Sequence, residues 1–442
     1  MLKVGFISLG CAKNQVDLER LAGSLSEDSS FVFTVDPSEC DLMIINTCGF
    51  IRSATEEAIK EILTVRAQIP KSAKLIVCGC MTERYRDKLL AQNAGGKTPL
   101  PEIDFAAGVN EPEKIVDYIS SLIANHRIEY KKDKRFIFNY PYYAYLKISE
   151  GCDNRCSYCV IPSIRGALRS APENELLAEA ERLVSTGVKE IVLVSQDCSK
   201  YGQDIKGGRH LPELLEKLAG SLPGTYFRVM YLNPDGVTLK LIKTVKKRRN
   251  ILRYFDVPVQ HFSDKILKKM NRRSDQADIA NCFTMIRKEL PDAFIRTTIM
   301  VGFPGETDED FEEARRFLEE MKPDYAGFFL YSAEEGTPAC YMADQVSKKT
   351  ANKRLKLLQS AQKKNTMRRL KGMKGSEIIC FAEKTNEDFD FILEGRALFQ
   401  APEVDGRLFV IEGDAVSGYG PYRAKIKRVA YPDIYVNIVG TV

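Results

Sequence analysis

The chain reads Cys152-Asp153-Asn154-Arg155-Cys156-Ser157-Tyr158-Cys159 directly after a short β-rich run from Tyr143 to Ser149. Its three cysteines are separated by three and by two residues, and no histidine lies within ten residues of them. Three thiolates on a cuboidal iron-sulfur cluster leave one iron without a protein ligand, and an open iron can bind and reduce a small molecule. The spacing predicts such a cluster, of the kind that cleaves S-adenosylmethionine to a 5'-deoxyadenosyl radical. A structural zinc site with a distant fourth ligand is the open alternative.

Six β-rich runs, with helical stretches between them, follow one another from residue 143 onward. They are Tyr143 to Ser149, Glu190 to Gln196, Tyr226 to Leu232, Tyr254 to Gln260, Phe294 to Val301, and Tyr325 to Tyr331. Six βα units predict a partial (β/α)6 barrel whose active site lies at the carboxyl ends of the strands. The cysteine stretch follows the first strand, and polar residues such as Gln196 and His261 follow later ones.

The first part of the chain also alternates strands and helices, which predicts an open parallel α/β sheet. Strands are expected at Lys3 to Leu9, Asp41 to Asn46 and Lys74 to Val77, and helices at Gln15 to Leu25, Ala54 to Gln68 and Glu111 to Ile123. Cys11, Cys48 and Cys80 each follow one of these strands. Ligands bind at that edge of such a sheet, so a second site with three thiolates is predicted. The alternative is that these three are ordinary buried free cysteines. Cys78 is a second candidate for the third ligand, but we prefer Cys80 because we expect it in a loop beside Gly79, where the backbone can turn.

The last part of the chain has short β-rich runs with Gly and Pro turns, which predicts a small antiparallel β-barrel. The runs are Glu377 to Ala382, Phe389 to Leu393, Leu408 to Ile411, Tyr422 to Val429 and Ile434 to Val439. Residues 374–442 have eight basic and eleven acidic residues, a net charge of −3, so this barrel is not expected to bind RNA nonspecifically through its charge. A charge-rich connection between His126 and Pro141 completes a predicted division into domains 1–130, 138–370 and 373–442.

Charge and hydropathy limit the classes of partner. Residues 345–374 contain eleven basic residues and no acidic one, with apolar residues near helical spacing. This predicts an amphipathic helix whose basic face is either simply solvated or in contact with RNA. No run approaches the roughly 18 apolar residues of a membrane span, so we expect no membrane partner and a cytoplasmic location. In a reducing compartment the twelve cysteines are better explained as metal ligands and buried thiols than as disulfides.

Over nearly its whole length the chain resembles the radical SAM methylthiotransferases, and within them the RimO-type branch. The matching stretches are Ser8 to Asn14, Asn46 to Phe50, Lys147 to Cys152, Ser195 to Asp197, Pro258 to His261, Val301 to Thr307 and Ala401 to Gly406. This resemblance implies an N-terminal domain with an auxiliary 4Fe-4S cluster on Cys11, Cys48 and Cys80. It further implies a radical SAM barrel with a 4Fe-4S cluster on Cys152, Cys156 and Cys159, and a terminal barrel of the TRAM type.

The same resemblance implies the reaction and its participants. A RimO-type enzyme inserts a methylthio group at the β-carbon of an aspartate in a small-subunit ribosomal protein, with S-adenosyl-L-methionine and an external reductant. Tyr158 and the turn from Gly302 to Glu306 are then expected to contact S-adenosylmethionine. No catalytic residue is assigned. His261 is either a substrate contact or a structural histidine, and Lys147, Arg228 and Arg296 are candidate partners for the substrate carboxylate.

Other functions remain open at this point. The sister MiaB-like branch modifies adenosine in transfer RNA. It has an Asp at the position of Thr298, a Gly-Gln-Asn turn at the position of Ser195-Gln196-Asp197, and no His at the position of His261. A barrel with Thr298 in place of a carboxylate suits an acidic substrate. A non-catalytic iron-sulfur RNA-binding protein and an electron-transfer protein are alternatives from other classes.

Overall fold

A computed structural model of the protein describes residues 1–90, 100–138, 142–386 and 392–442. The chain packs as two compact units. The N-terminal unit comprises residues Met1–Phe138, Glu150–Arg169 and Glu334–Thr337, and the C-terminal unit comprises Asn139–Ser149, Ser170–Ala333 and Pro338–Val442. The segment with the three clustered cysteines therefore packs with the first part of the chain.

The N-terminal unit contains a five-stranded parallel sheet with helices on both faces. Its strands are β1 (Leu2–Ser8), β2 (Phe31–Phe33), β3 (Leu42–Thr47), β4 (Lys74–Gly79) and β5 (Phe105–Ala107). Its helices are α1 (Ala12–Ser26), α2 (Arg52–Gln68), α3 (Cys80–Leu90), α4 (Pro112–Ser121) and the short α5 (Ile161–Arg165). The strand order β2-β1-β3-β4-β5 reverses between β1 and β3. In such sheets the crevice at that reversal is the usual ligand site.

Apolar side chains on both faces of this sheet form two cores. One core includes Val4, Ile44 and Ile76, and the other includes Ile45, Leu75 and Val77. Strands covered on both faces are expected to be continuously apolar, and this explains why the three central strands are readable from the sequence. The sequence does not predict the edge strands β2 and β5, because a run of three residues shows too little alternation to be recognised.

The C-terminal unit contains a six-stranded parallel sheet, as the sequence predicts. Its strands are β6 (Tyr143–Lys147), β9 (Glu190–Val194), β10 (Tyr226–Val229), β11 (Ile251–Asp256), β12 (Phe294–Val301) and β13 (Tyr325–Leu330), and the chain also forms two-residue strands β7 (Ser149–Glu150) and β8 (Arg169–Ser170). Neighbours along the chain pair in order from β6 to β13. The expected strand Tyr254 to Gln260 is wrong at both ends. It stops at Asp256, because Pro258 has no N–H to donate to a ladder.

Seven helices accompany this sheet in chain order. They are α6 (Glu173–Ser185), α7 (Leu211–Ser221), α8 (Leu239–Lys247), α9 (Asp264–Lys269), α10 (Gln276–Glu289), α11 (Asp308–Met321) and α12 (Lys348–Gly372). The basic helix predicted within residues 345–374 is α12. Its buried Arg354 donates to Glu306 and Asp308, and Asn365 donates to the Leu318 carbonyl, so one side of the helix is fixed to the unit.

The chain ends in a closed five-stranded barrel. Its strands are β14 (Glu377–Thr385), β15 (Leu393–Ala397), β16 (Leu408–Glu412), β17 (Tyr419–Ala430) and β18 (Asp433–Thr441). Four pairings are antiparallel, as predicted, and the pairing of β16 with β18 is parallel. The expected run from Phe389 to Leu393 lies largely outside the described residues. Strand β15 begins at Leu393, the last residue of that predicted run.

The barrel's loop 398–407 packs against the six-stranded sheet. The ring of Phe399 stacks on Phe294 with centroids 4.4 Å apart, and the Tyr254 hydroxyl donates to Asp405 at 2.6 Å. Beside this loop, Glu190 is fully buried and accepts from Arg228 at 2.7 Å and from Arg396. The terminal barrel is thus joined to the sheet through a buried ionic network.

Candidate metal centres

The first cysteine trio lies where the sheet order reverses. Cys11 precedes α1, Cys48 follows β3, and Cys80 is the first residue of α3 rather than a loop residue as expected. Gly10 allows the first two loops to approach: its φ is +115°, and a Cβ at this position would lie 2.9 Å from the Cys48 Cβ and 3.5 Å from its Sγ. Only glycine accommodates both the conformation and the close contact.

Asn14 connects these cysteines. Its Oδ1 accepts hydrogen bonds from the thiols of Cys11, at 3.4 Å, and of Cys80, at 3.8 Å. Its Nδ2 donates to the Oδ1 of Asn46 and to the carbonyl of Thr47, both at 2.9 Å. Since Thr47 precedes Cys48, the side chain of Asn14 contacts or neighbours all three cysteine positions. The structure therefore brings Cys11, Cys48 and Cys80 together.

Cys78 belongs to a different environment from Cys80. It is 5% exposed and packs in the apolar core with Val4 and Ile76, and burial raises the pKa of its thiol to about 12. Cys80 packs instead against Val160 and Ile164. The two side chains point to different surroundings because β4 ends at Gly79, whose φ of +100° turns the backbone between them.

Arg165 is the one fully buried cation beside the first trio among the residues that the structure describes. Its side chain is 1% exposed. Nη1 donates to the two oxygens of Glu150 at 3.0 and 2.9 Å and to Asp17 at 3.2 Å. Nη2 donates to Asn14 at 2.8 Å and lies 3.4 Å from the Cys80 Sγ. No feature of the sequence alone distinguishes this arginine from the chain's other basic residues.

The second trio lies in the irregular loop from Gly151 to Val160. All three cysteines are half-buried, and the Cys159 N–H donates to the Cys156 carbonyl at 3.1 Å. The loop closes where the Cys152 N–H donates to the Gly166 carbonyl at 3.1 Å, one residue after α5 ends. Both trios therefore belong to the N-terminal unit, and the residues that follow Cys159 contact Cys80.

The electrostatics of the first trio oppose free thiolates. Burial raises the pKa of Cys48, and it raises the pKa of Cys80 to about 11 although Arg165 opposes this. Burial also disfavours the Cys11 thiolate, but Lys13 and Arg165 outweigh burial and the pKa of Cys11 is lowered. A metal centre that binds here would displace protons from at least two thiols at neutral pH.

Within the described part of the chain, no group of three or more His, Cys, Asp or Glu side chains is arranged around a single metal ion. That finding concerns a single ion. Thiolates on a cuboidal cluster each bind a different iron and lie farther apart than the ligands of a single ion. Three thiols grouped around the side chain of Asn14 therefore suit a cluster rather than a single ion.

The other residues predicted to contact a cofactor or substrate lie in varied settings. Tyr158 is half-buried in the second cysteine loop. Gly302 has a φ of +79°, and its N–H donates to Glu306 at 2.8 Å. The Glu306 carboxylate also accepts from Arg354 at 2.6 Å, so this carboxylate shapes the turn.

The candidates for substrate binding on the sheet are largely engaged within the protein. His261 is 1% exposed; its Nδ1 accepts from the Ser263 N–H at 3.0 Å and its Nε2 lies 3.5 Å from Glu306. Arg228 is bound to Glu190. Arg296 has longer ionic contacts, at 3.7 Å to Asp256 and 3.9 Å to Asp405. These contacts favour structural roles for His261 and Arg228.

No helix in the described part of the chain is long and apolar enough to cross a membrane.

A partial βα barrel with a Cys-x3-Cys-x2-Cys loop after its first strand defines the class of radical SAM enzymes. The sequence profile of the Radical SAM superfamily matches residues 146–318, and that of the Uncharacterized protein family UPF0004 matches residues 3–97. The methyltransferase TsrM from Kitasatospora setae has a similar fold. Its structure with cobalamin and a 4Fe-4S cluster bound matches with a TM-score of 0.52, at 14% identity over 76% of each chain. Its structure with tryptophan and a SAM analogue bound matches with a TM-score of 0.53, at 12% identity over 83% of this chain and 89% of TsrM.

Curated relatives define the family more narrowly. The ribosomal protein uS12 methylthiotransferase RimO of Geobacter sulfurreducens is 41% identical, and that of Geotalea uraniireducens 40% identical, each over 428 residues and 94% of both chains. The RimO of Natranaerobius thermophilus is 40% identical over 94% of this chain and 95% of its own. The chain belongs to the RimO family, and it is a radical SAM methylthiotransferase.

Proposed function

We propose that this methylthiotransferase holds two 4Fe-4S clusters and adds a methylthio group to the β-carbon of an aspartate in ribosomal protein uS12. The observation that carries the proposal is similarity at about 40% identity over 94% of the chain to enzymes named for that substrate. The two family profiles, which match residues 3–97 and 146–318, include both cysteine trios.

Cys11, Cys48 and Cys80 would hold the auxiliary cluster. Two of these thiols hydrogen-bond the same oxygen of Asn14, and the third adjoins Gly10, which supports a common ligand for all three. Lys13 and Arg165 supply positive charge beside the thiolates. Asn14 would keep the cysteine side chains oriented before the cluster binds.

Cys152, Cys156 and Cys159 would hold the radical SAM cluster. With three protein ligands, this cluster and S-adenosylmethionine would supply a radical able to remove hydrogen from an unreactive carbon. The chain's own residues close the loop around this site through the Cys152 to Gly166 hydrogen bond. Placing both trios on one compact unit supports a short route for sulfur between them, which such a reaction requires.

The exposed side of α12 would contact RNA of the ribosomal subunit that presents uS12. Lys349, Lys353 and Lys356 are exposed, whereas Arg354 and Arg369 are turned to Glu306 and Asp324 within the unit. Lys348, Lys363, Lys364 and Lys371 are exposed as well, so most of the positive charge of this helix lies at the surface. Phosphate contacts of this kind would add affinity that falls with salt.

The experiment compares two acceptors with anaerobically reconstituted enzyme, S-adenosylmethionine and dithionite. One acceptor is the small ribosomal subunit carrying unmodified uS12, and the other is transfer RNA carrying isopentenyl adenosine. Mass spectrometry of both is expected to find a methylthio group on one uS12 aspartate and none on adenosine. The Cys152→Ala enzyme serves as control and is expected to release no 5'-deoxyadenosine. Modification of adenosine without modification of uS12 would overturn the proposal.

A further inference from the structure

Arg165 connects the auxiliary cysteines with the loop of the second trio. Its guanidinium lies 3.4 Å from the Cys80 Sγ, and the next residue, Gly166, accepts the hydrogen bond from the Cys152 N–H. It lies at the end of α5, where Gly166 with a φ of +76° turns the chain. An arginine at 1% exposure in this position has a role that sequence spacing alone does not reveal.

We propose that Arg165 is a positioning residue for the auxiliary cluster: its guanidinium donates an N–H···S hydrogen bond to Cys80, which raises the reduction potential of the cluster and slows its loss of iron. This inference rests on the proposed auxiliary cluster. Hydrogen bonds to cluster sulfurs and nearby charge are among the main determinants of such potentials.

The surroundings of Arg165 explain why its guanidinium stays in place. Glu150 and Asp17 accept from Nη1, and a buried arginine needs such partners because an unpaired buried charge is costly. These two carboxylates occupy one nitrogen and leave Nη2 directed at Asn14 and Cys80. The planar fork of arginine can serve both sides at once, which a lysine ammonium cannot do in the same geometry.

Asn14 links Arg165 to two of the three auxiliary cysteines. Its Oδ1 accepts from Arg165 and from the thiols of Cys11 and Cys80. When the thiols become thiolates on the cluster they no longer donate, so the guanidinium remains as the donor that faces both Asn14 and Cys80. Loss of Arg165 would leave the Asn14 oxygen beside two anionic sulfurs.

A purely structural clamp would behave differently. Such a clamp would lower the stability of the fold but leave the potential of a bound cluster unchanged. The reduction potential of the folded protein therefore separates the two roles, and its measurement requires no turnover.

The test uses full-length protein in which Cys152, Cys156 and Cys159 are all replaced by alanine, so that only the auxiliary cluster can bind. Into this background we introduce Arg165→Met, Arg165→Lys or the control Arg52→Met, which removes a charge whose side chain is 81% exposed. Redox titration followed by electron paramagnetic resonance gives the potential. Transfer of iron to a coloured chelator gives the release rate.

Arg165→Met is expected to shift the one-electron equilibrium at least tenfold toward the oxidised cluster, about 59 mV, and to speed iron release about tenfold. Arg165→Lys is expected to change both in the same direction by less, and Arg52→Met to change neither. If Arg165→Met does not fold, Arg165→Lys decides. An unchanged potential in the folded variants would overturn the role of Arg165, whereas a background protein without iron would overturn the auxiliary cluster itself.

Discussion

Replacing Glu190 by glutamine tests the buried network that joins the terminal barrel to the six-stranded sheet. Glu190 is fully buried and accepts from Arg228 and Arg396, and Arg396 also donates to Glu383 at 2.6 Å. Glutamine keeps the shape of the side chain but removes the one carboxylate shared by the two guanidinium groups. Three of the four charges remain, and two of them are arginines with 0% and 4% exposed side chains.

The expected cost follows from this burial. Removing one partner of a buried ionic pair costs about 3–5 kcal/mol, because the other charge stays behind without compensation. With an m-value of about 2–3 kcal/mol per molar urea, the unfolding midpoint of this unit is expected to fall by about 1–2.5 M. The control Glu319→Gln removes an exposed i,i+4 partner of Arg315 and is expected to cost about 0.3–0.5 kcal/mol.

Urea unfolding followed by far-UV circular dichroism measures both variants. Burial opposes ionisation of Glu190, but Arg228 and Arg396 outweigh it and lower its pKa in the folded state. The stability that its charge contributes is thus present above its unfolded pKa of about 4.3 and is lost as pH falls through the lower folded pKa. The gap between wild type and Glu190→Gln is therefore full at neutral pH and narrows in acid. A midpoint shift no larger than that of Glu319→Gln would show that the Glu190 network does not stabilise this unit.

Three further sets of substitutions test the auxiliary site and the basic helix. Cys80→Ala is expected to abolish auxiliary-cluster iron, whereas Cys78→Ala should retain all of it in a colorimetric assay and cost only about 1–2 kcal/mol, since Cys78 packs in an apolar core. Glu334→Gln weakens the contacts of Glu334 with the Arg52 N–H and with Arg84, which fix the loop after Cys48, so faster release of auxiliary iron to a chelator is expected. Lys349→Ala with Lys353→Ala should weaken binding to the small ribosomal subunit at low salt and flatten its salt dependence; equal binding in a sedimentation assay would count against the RNA contact.

Much of the fold could be predicted because its central strands are continuously apolar. The run around Ile44 is buried on both faces, and its pattern is readable without tertiary information. The edge strands β2 and β5 are three residues long and were missed. The end of β11 was placed too late, because the run of apolar residues continues past Asp256 while Pro258 interrupts the ladder.

The cysteines of the candidate site could be named from strand ends and spacing, but their supporting residues could not. Asn14 lies three residues from Cys11, yet its hydrogen bonds reach Asn46 and Arg165. Arg165 is separated from Cys80 by 85 positions in sequence. Such partners become visible only once the sheet order and the path of α5 are known. The stretch from Ser8 to Asn14 belongs to the family resemblance, but no pattern in a single sequence assigns Asn14 a partner.

We propose that two separate trios of cysteines hold two clusters. Iron content of three anaerobically reconstituted proteins tests it most directly: wild type, the variant with Cys11, Cys48 and Cys80 replaced by alanine, and the variant with Cys152, Cys156 and Cys159 replaced. We predict about eight irons in wild type and about four in each variant. Full iron content after loss of Cys11, Cys48 and Cys80 would contradict the claim.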